Sequence, residues 1–431
     1  MVAAVERRDR SRRAADWDDL LMPAADTKRM LAFFPWPALW EMEIGAGNPL
    51  ATWVFEAFVE AGYAVDLILP PSVGETRLPK GVTAHRIAET RIRPKGVLRR
   101  ALWWIEFNAR LVGRGLAVVA RNGRPAFTYG ISAHTIPAAA LVASLNRVPS
   151  IGELYGTFLY PSLRDPLRPI TQFEETLSFK IPVSRLVVMN DGTRGDRVAK
   201  ALGVPDSRLR FWPNPIDRVA CEAASANPMT RHDLGVAPDA QLLVSASRLT
   251  AWKRVDRIVR ILPAIRALHP QAVLAVSGEG PSEEALRQLV ADLGISDSVV
   301  FTGPLSRDDN LRLIAAADLG CCFYDFSNVG VTLLENLACG VPVVTLDTGA
   351  TREFVQHRQT GFVLAPDDDR AAIAAIDELL SSDQTRQAMG DAARQWALEN
   401  LPTVEQRTGW IVSLAEELVE ARRRHAHLGR R

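Results

Sequence analysis

The chain has 431 residues, of which 47% are hydrophobic and 23% charged, and its formal net charge is +1. That length and composition suit roughly two to three soluble domains with sizeable cores, and the near-zero charge leaves no bulk field that would select nucleic acid. No apolar run reaches the ~18 residues of a membrane span, and the N-terminus is charged from Glu6 onward without an apolar core, so neither a span nor a signal peptide is expected.

Residues 1–27 mix charges without a clear period and read as a poorly ordered arm. Beyond them short apolar runs alternate with amphipathic stretches, the pattern of parallel sheets with helices on both faces. The runs expected as strands are MLAFFPW, AVDLILP, VTAHRIA, AFTYG, VPSIGEL, RLVVMN and RLRFWP, then AQLLVSAS, AVLAVSGEG, SVVFTGP, LGCCFYD, VPVVTL and GFVLAP. Between the two sets lies FWPNPID (Phe211 to Asp217), whose prolines restrict the backbone and suit a stiff hinge. No repeat with a period of roughly 20–50 residues is present, which excludes a solenoid or propeller. Cys221, Cys321, Cys322 and Cys339 form no C-x-x-C pair and read as reduced thiols of a cytosolic protein, with no zinc site. The expected fold is α/β, with two Rossmann-like, doubly wound domains (28–213 and 214–403) facing each other across a cleft.

Ligands in such folds bind outside the carboxyl ends of the strands, so the loops there carry the chemistry. In EIGAGNPLATW, Gly45 and Gly47 allow close backbone approach to a ligand, or simply a tight turn. His134 in TYGISAHTIP faces the cleft or starts a helix, and Asp191 and Arg194 in NDGTRGD serve a substrate or cap a helix. Arg248 and Lys253 in SASRLTAWKRVDRIV flank one loop, a pattern that suits a diphosphate; with Arg254 and Arg257 they also suit a solvated basic face. Gly278 and Gly280 end the next strand, and VVFTGPLSRDD ends another with Gly303 and Leu305. In SNVGVTLLENLACGVPVV, free N–H groups at Val329, Gly330 and Val331 form an anion site at a helix start. Glu335 lies one turn further on the face opposite Leu333, Leu334 and Leu337, where it accepts from a pair of sugar hydroxyls or is solvated.

From Asn190 to Pro366 the order of these motifs resembles glycosyltransferase family 4, retaining enzymes of the GT-B fold that use nucleotide-sugar donors. It is carried by NDGTRGDRVAKALGVP, SRLTAWKRVDRIV, SGEGP, FTGPLSRDDNLRLIAAADLG, TLLENLACGVPVV and TGFVLAP. The resemblance implies that Arg248 and Lys253 hold the diphosphate and that Glu335, the second acid of an E-x7-E motif, holds the ribose. With them it implies a donor set of Gly47, Gly278, Gly280, Leu305, Ser327, Asn328, Val329, Gly330, Val331 and Thr332, and an acceptor side of Tyr155, His134, Asp191 and Arg194. It further implies that residues 404–431 form a helix crossing back to the first domain. Three positions depart from the pattern. Ser327 stands where the family's first Glu touches the transferred sugar, which points to altered sugar selection. Tyr155 replaces a common His, and Pro215 replaces the usual Gly of the hinge.

The resulting expectation is a cytosolic retaining glycosyltransferase with a UDP-linked donor and a glycan, lipid-linked or small-molecule acceptor. No general base is required, because on the family's front-face route the leaving diphosphate takes the acceptor proton. No cofactor and no metal are expected, and the D-x-D matches at Asp16–Asp18 and Asp367–Asp369 read as surface charge. An epimerase or phosphorylase of the same fold and a non-catalytic nucleotide-sugar-binding subunit are the alternatives. The basic segment Arg91 to Leu116 carries Trp103 and Trp104 and a stripe of Leu98, Leu102, Ile105 and Val112. That stripe is expected to cover the sheet, in preference to touching anionic lipid at the inner face of a membrane.

Overall fold

The computed structural model describes residues 28–35, 50–71, 78–160, 167–327 and 329–428. The arm 1–27, Gly45, Gly47, Asn328 and the Asp16–Asp18 pair lie outside the described residues. Every run expected as a strand forms one. The first set gives β1 (Lys28–Phe33), β2 (Tyr63–Leu69), β3 (Val82–Arg86), β4 (Phe127–Ile131), β5 (Ser150–Leu154), β6 (Arg185–Asn190) and β7 (Leu209–Pro213). The second gives β8 (Gln241–Ala246), β9 (Ala272–Ser277), β10 (Val299–Gly303), β11 (Leu319–Cys322), β12 (Val343–Leu346) and β13 (Gly361–Leu364). Their near-continuous apolar composition follows from burial on both faces, which only parallel sheets covered by helices provide.

The strand orders are β3-β2-β1-β4-β5-β6-β7 in a seven-stranded sheet and β10-β9-β8-β11-β12-β13 in a six-stranded one. Each order reverses direction once, between β1 and β4 and between β8 and β11, and a crevice opens at such a switch point. The two domains are therefore doubly wound and Rossmann-like. The chain passes from the first sheet to the second at 214–217 and returns at 401–404. The two passes are paired to each other through Ile216 N–H to Pro402 O (3.0 Å) and a parallel bridge from Ile216 to Thr403.

After the return, helix Val404–Leu428 lays Ile411, Leu414, Ala415 and Val419 into the core of the first domain beside Phe55, Phe58 and Tyr129. Its first turn carries Arg407, fully buried and paired with the equally buried Glu153 of β5. The Tyr129 hydroxyl donates to the same carboxylate, and the Arg407 guanidinium lies 4.8 Å from the Trp212 ring centroid.

Helix Gly96–Asn122 corrects one expectation. It buries Phe107, Leu111, Gly115 and Val118, while Leu98, Leu102 and Ile105 are 75%, 45% and 59% exposed and, of the expected stripe, Val112 alone packs against that core. The sheet accepts the other stripe because Gly115 has no side chain: a Cβ there would stand 2.9 Å from the Phe33 ring. Asn108 reinforces that side by accepting from Ala138 N–H and donating to Trp104 O. Among the described residues no helix is long and apolar enough to cross a membrane.

The buried pair generates a prediction. Arg407→Met leaves Glu153 buried without its cation and should destabilise the protein by about 3–5 kcal/mol, whereas Glu153→Gln combined with Arg407→Met should recover most of that loss. Urea-unfolding midpoints of the two variants check it; equal losses would show that the ion pair does not hold the returning helix.

Candidate functional site

A cavity of about 680 Å³ lies between the domains, at the carboxyl ends of both sheets. From the first domain it is lined by His134 after β4, Tyr155 to Phe158 after β5, Glu174 and Glu175, and Asp191 and Thr193 after β6. From the second it is lined by Trp252 and Lys253 after β8, and by Phe326, Ser327 and Val329 to Val331 after β11. The crossing residue Asn214 forms part of its floor, 2% exposed and with an unpartnered Oδ1.

Lys253 ends a tight turn, Ala251–Lys253, and its ammonium stands 3.7 Å from the Tyr324 ring centroid and 4.3 Å from that of Trp252. Aromatic faces attract a cation but do not hydrate it. Burial therefore lowers the Lys253 pKa to about 8, against the opposing pull of Cys322 and Asp191. The other basic residues of the motif separate from it. Arg254 pairs with Asp256 (3.0 Å) and Arg257 with Asp325 (3.0 Å), whereas Arg248 is exposed and stands outside the cavity lining.

Gly278 and Gly280 shape this loop from behind. Both have positive φ, and a Cβ on them would lie 2.2 Å from Ser247 O and 2.4 Å from Leu249 O. Their close approach is to the protein's own chain, sealed by Leu249 N–H to Glu279 O at 2.8 Å, and neither lines the cavity. Leu305 likewise packs against the second domain's core rather than the cavity.

Helix Val331–Ala338 begins at Gly330 with no side-chain cap among the described residues, and Gly330 and Val331 line the cavity, so the first-turn N–H groups there favour an anion; Val329 N–H, expected in the same site, is instead spent on Ser327 Oγ. Thr332 is half-buried behind them, and its carbonyl accepts from Asn336. Glu335 is not solvated. It is 6% exposed, lies 3.9 Å from Arg307 and titrates at about 7, raised by burial against the pull of Arg307. Arg307 also pairs with Asp217 (3.1 Å) and lies 5.1 Å from the ring centroid of Trp53, in the first domain's helix Leu50–Glu60. Sequence reading missed Arg307, Asp217 and Trp53. The one available signal was that Arg307 follows Leu305 in a strand-end loop.

Ser327 spends its hydroxyl on the opposite domain, donating to Asp191 O at 2.5 Å and accepting from Val329 N–H at 3.1 Å. Asp191 is not an N-cap; its carboxylate accepts from Thr193 N–H and Oγ1 at 3.1 and 2.5 Å, and Arg194 takes the cap position with φ 61°. Arg194 reaches across the cleft to Glu353. Burial raises Asp191 to about 6, opposed by its Thr193 hydrogen bonds and by Lys253. On the same wall Glu174 pairs with Arg100 at 2.7 Å, and Glu175, pushed up by burial, accepts from Thr157 Oγ1 and Phe158 N–H. His134 lines the cavity edge-on to Trp103 at 5.6 Å, and burial lowers its pKa. Tyr155 lines the cavity and packs on the first domain's core.

Among the described residues no group of three His, Cys, Asp or Glu is arranged to hold a metal ion. Asp367 is exposed, and Asp368 caps helix Asp369–Ser381 by accepting from Ala371 N–H. All four cysteines are buried and free.

Residues 228–396 match the family model described as glycosyl transferases group 1. Over 259 residues the chain is 34% identical to the GDP-mannose-dependent alpha-(1-6)-phosphatidylinositol monomannoside mannosyltransferase of Mycolicibacterium smegmatis, covering 58% of this chain and 64% of that enzyme. The chain thus spans less than two thirds of that relative's own length. Among solved structures, sucrose-phosphate synthase from Thermosynechococcus elongatus superposes with a TM-score of 0.74 at 16% identity, over 91% of this chain and all of that one. The Anabaena protein Alr3699/HepE, in complex with UDP and glucose, gives 0.67 at 17% identity over 91% and 100%. At those identities the likeness is one of fold, and the fold is GT-B, two Rossmann-like domains across a cleft.

The burial of Glu335 predicts a pH-dependent stability difference. Its folded pKa of about 7 lies above the ordinary carboxylate value, so its contribution to stability is greatest at low pH and is lost as pH rises through 7. Glu335→Gln removes that loss. Its stability relative to wild type should therefore grow between pH 5 and pH 8, by on the order of 1–3 kcal/mol. Melting curves of both proteins across that range check the sign.

Proposed function

We propose that the protein is a retaining glycosyltransferase that transfers a sugar from a nucleoside-diphosphate donor held by the second domain. The observation that carries this reading is Lys253, desolvated beside the uncapped start of helix Val331–Ala338 on an interdomain cavity. A partly buried cation and a helix start lining the same cavity suit a group whose negative charge grows, as a leaving diphosphate does. In the front-face step the anomeric carbon–phosphate oxygen bond breaks while the acceptor oxygen bonds the same carbon from the same side. The acceptor proton passes to the departing phosphate oxygen. Lys253 and the helix start stabilise that charge, and Glu335, anchored by Arg307, is suited to accept from ribose hydroxyls.

The Mycolicibacterium relative, at 34% identity, is named for GDP-mannose, and the UDP complex belongs to a structural neighbour at 17%. That difference favours GDP-mannose over the UDP-linked donor expected from sequence. For the acceptor, the phosphatidylinositol monomannoside in the relative's name agrees with the exposed face of helix Gly96–Asn122. There Val97, Leu98, Leu102 and Ile105 are exposed in the same segment as Arg93, Lys95 and Arg99, and Arg100 donates to Thr171 O, next in sequence to the exposed Ile170. An apolar patch ringed by cations suits an anionic lipid surface, so we favour a lipid-linked acceptor reached by peripheral contact. A non-catalytic binding subunit would bind GDP yet neither hydrolyse nor transfer.

Lys253→Ala should remove about 2–4 kcal/mol of transition-state stabilisation, measured as turnover of GDP-mannose, and unchanged turnover would sink the assignment. Because the free ammonium titrates at about 8, binding GDP at pH 8.5 should take up protons, and affinity should fall as pH rises through 8. Calorimetry in two buffers of different ionisation enthalpy reads this directly; no buffer dependence would mean that Lys253 does not meet the diphosphate.

Sedimentation with vesicles containing phosphatidylglycerol should carry down the wild-type protein. The variant Leu98→Ser, Leu102→Ser, Ile105→Ser should stay in solution. A wild-type protein that ignores such vesicles would overturn the lipid acceptor.

A further inference from the structure

The loop Asp191–Arg194 is built as a joint between the domains. Ser327 Oγ donates to Asp191 O, Ala350 N–H donates to Gly192 O at 2.8 Å, and Arg194 pairs with Glu353. Gly192 (φ 80°) and Gly349 (φ 60°) make the approach possible. A Cβ on Gly192 would stand 2.4 Å from Ser327 Oγ and 2.7 Å from Val329 Cγ2, and one on Gly349 would stand 2.2 Å from Gly192 O. No residue with a side chain fits either position without parting the two surfaces.

What this joint delivers is a carboxylate. Asp191 belongs to the first domain but lies in the cavity wall shared with Lys253, Ser327 and Gly330 of the second. Its orientation is set locally by Thr193, which donates twice to Oδ1, and Gly156 makes room for Oδ2, which a Cβ there would approach to 2.0 Å. The other carboxylates of the wall are engaged elsewhere, Glu174 by Arg100 and Glu175 by Thr157 and Phe158. A half-buried carboxylate with no direct ion pair among the described residues, sharing a cavity wall with a cation, is the kind of group that functional sites maintain against its desolvation.

We infer that Asp191 is a specificity-determining residue that accepts a hydroxyl of the sugar being transferred, and that the interdomain joint brings it into place only when the cleft is closed. The inference rests on the donor reading above. With the diphosphate at Lys253 and the helix start, the attached sugar extends toward the facing domain, where Asp191 stands. Ser327 then acts as a positioning residue, fixing the main chain that carries the carboxylate. Sugar recognition is thereby coupled to domain closure, so an open cleft holds the nucleotide without gripping the sugar.

Two variants separate this from a structural role. Asp191→Asn keeps both Thr193 hydrogen bonds and replaces one acceptor oxygen by a donor. We expect its affinity for GDP to stay within about twofold of wild type while turnover of GDP-mannose falls about ten- to a hundredfold and the preference for GDP-mannose over GDP-glucose changes. Gly192→Ala leaves Asp191 intact and should lower turnover similarly, with a larger radius of gyration in solution scattering. Wild-type turnover and sugar preference in Asp191→Asn would overturn the inference, as would loss of GDP affinity along with turnover, which would put the residue in the nucleotide pocket or the fold. A wild-type protein that binds neither GDP nor UDP would instead defeat the donor reading itself, and this inference with it.

Discussion

Everything in the cleft depends on the chain crossing twice between its sheets and being fastened at the second crossing. The paired segments 214–217 and 401–404 hold the two crossings to each other, and the buried Arg407–Glu153 pair commits the returning helix to the first domain. Removing two charges from water is unfavourable unless each meets the other with good geometry, so such a pair tolerates little displacement. The Trp212 ring over the guanidinium and the Tyr129 hydroxyl on the carboxylate complete its surroundings. With the returning helix fastened to the first domain and the two crossings paired, loops of the two sheets come to face each other across the cleft.

The cavity concentrates groups whose charged forms are disfavoured. Lys253 is lowered, and Asp191 and Glu175 are raised, with burial the first cause in each case; Glu335, raised in the same way, lies outside the cavity's lining. A cavity wall that holds acids and a base against desolvation is primed for a polar ligand that supplies their missing partners. Arg307 ties this chemistry to the domain arrangement, because it touches Glu335 and Asp217 in one domain and the Trp53 ring in the other. Opening the cleft would therefore alter the surroundings of Glu335 as well as those of Asp191.

The helix Gly96–Asn122 shows how one sequence can offer two apolar stripes and bury only one. Leu98, Leu102 and Ile105 have the spacing of a core face, but the sheet took Phe107, Leu111, Gly115 and Val118. Side-chain size decided between them, since Gly115 lets the helix axis approach Phe33 and the leucine stripe would hold it away. The rejected stripe then remains at the surface among arginines and lysine, where its hydrophobicity must be explained by something other than folding.

The sequence by itself determined the strands, their grouping into two doubly wound sheets and the hinge at FWPNPID, because continuous apolar runs and prolines act locally on the backbone. It also located the loops that carry Lys253, Glu335, Asp191 and Ser327, since ligand loops sit at strand ends in this kind of sheet. What those side chains face was settled by the tertiary structure. From its helical position Glu335 could be a ribose acceptor or solvated; it is buried, because the helix that starts at Arg307 after β10 brings that guanidinium to it. Gly278 and Gly280 looked like ligand-approach glycines and serve chain-on-chain packing against residues 247–249. Ser327 looked like a gap in a sugar pocket and bonds a main chain 136 residues away. Local pattern encodes which backbone forms, whereas burial, pairing and charge state depend on atoms that only the meeting of two separate sheets brings within a few ångströms of one another.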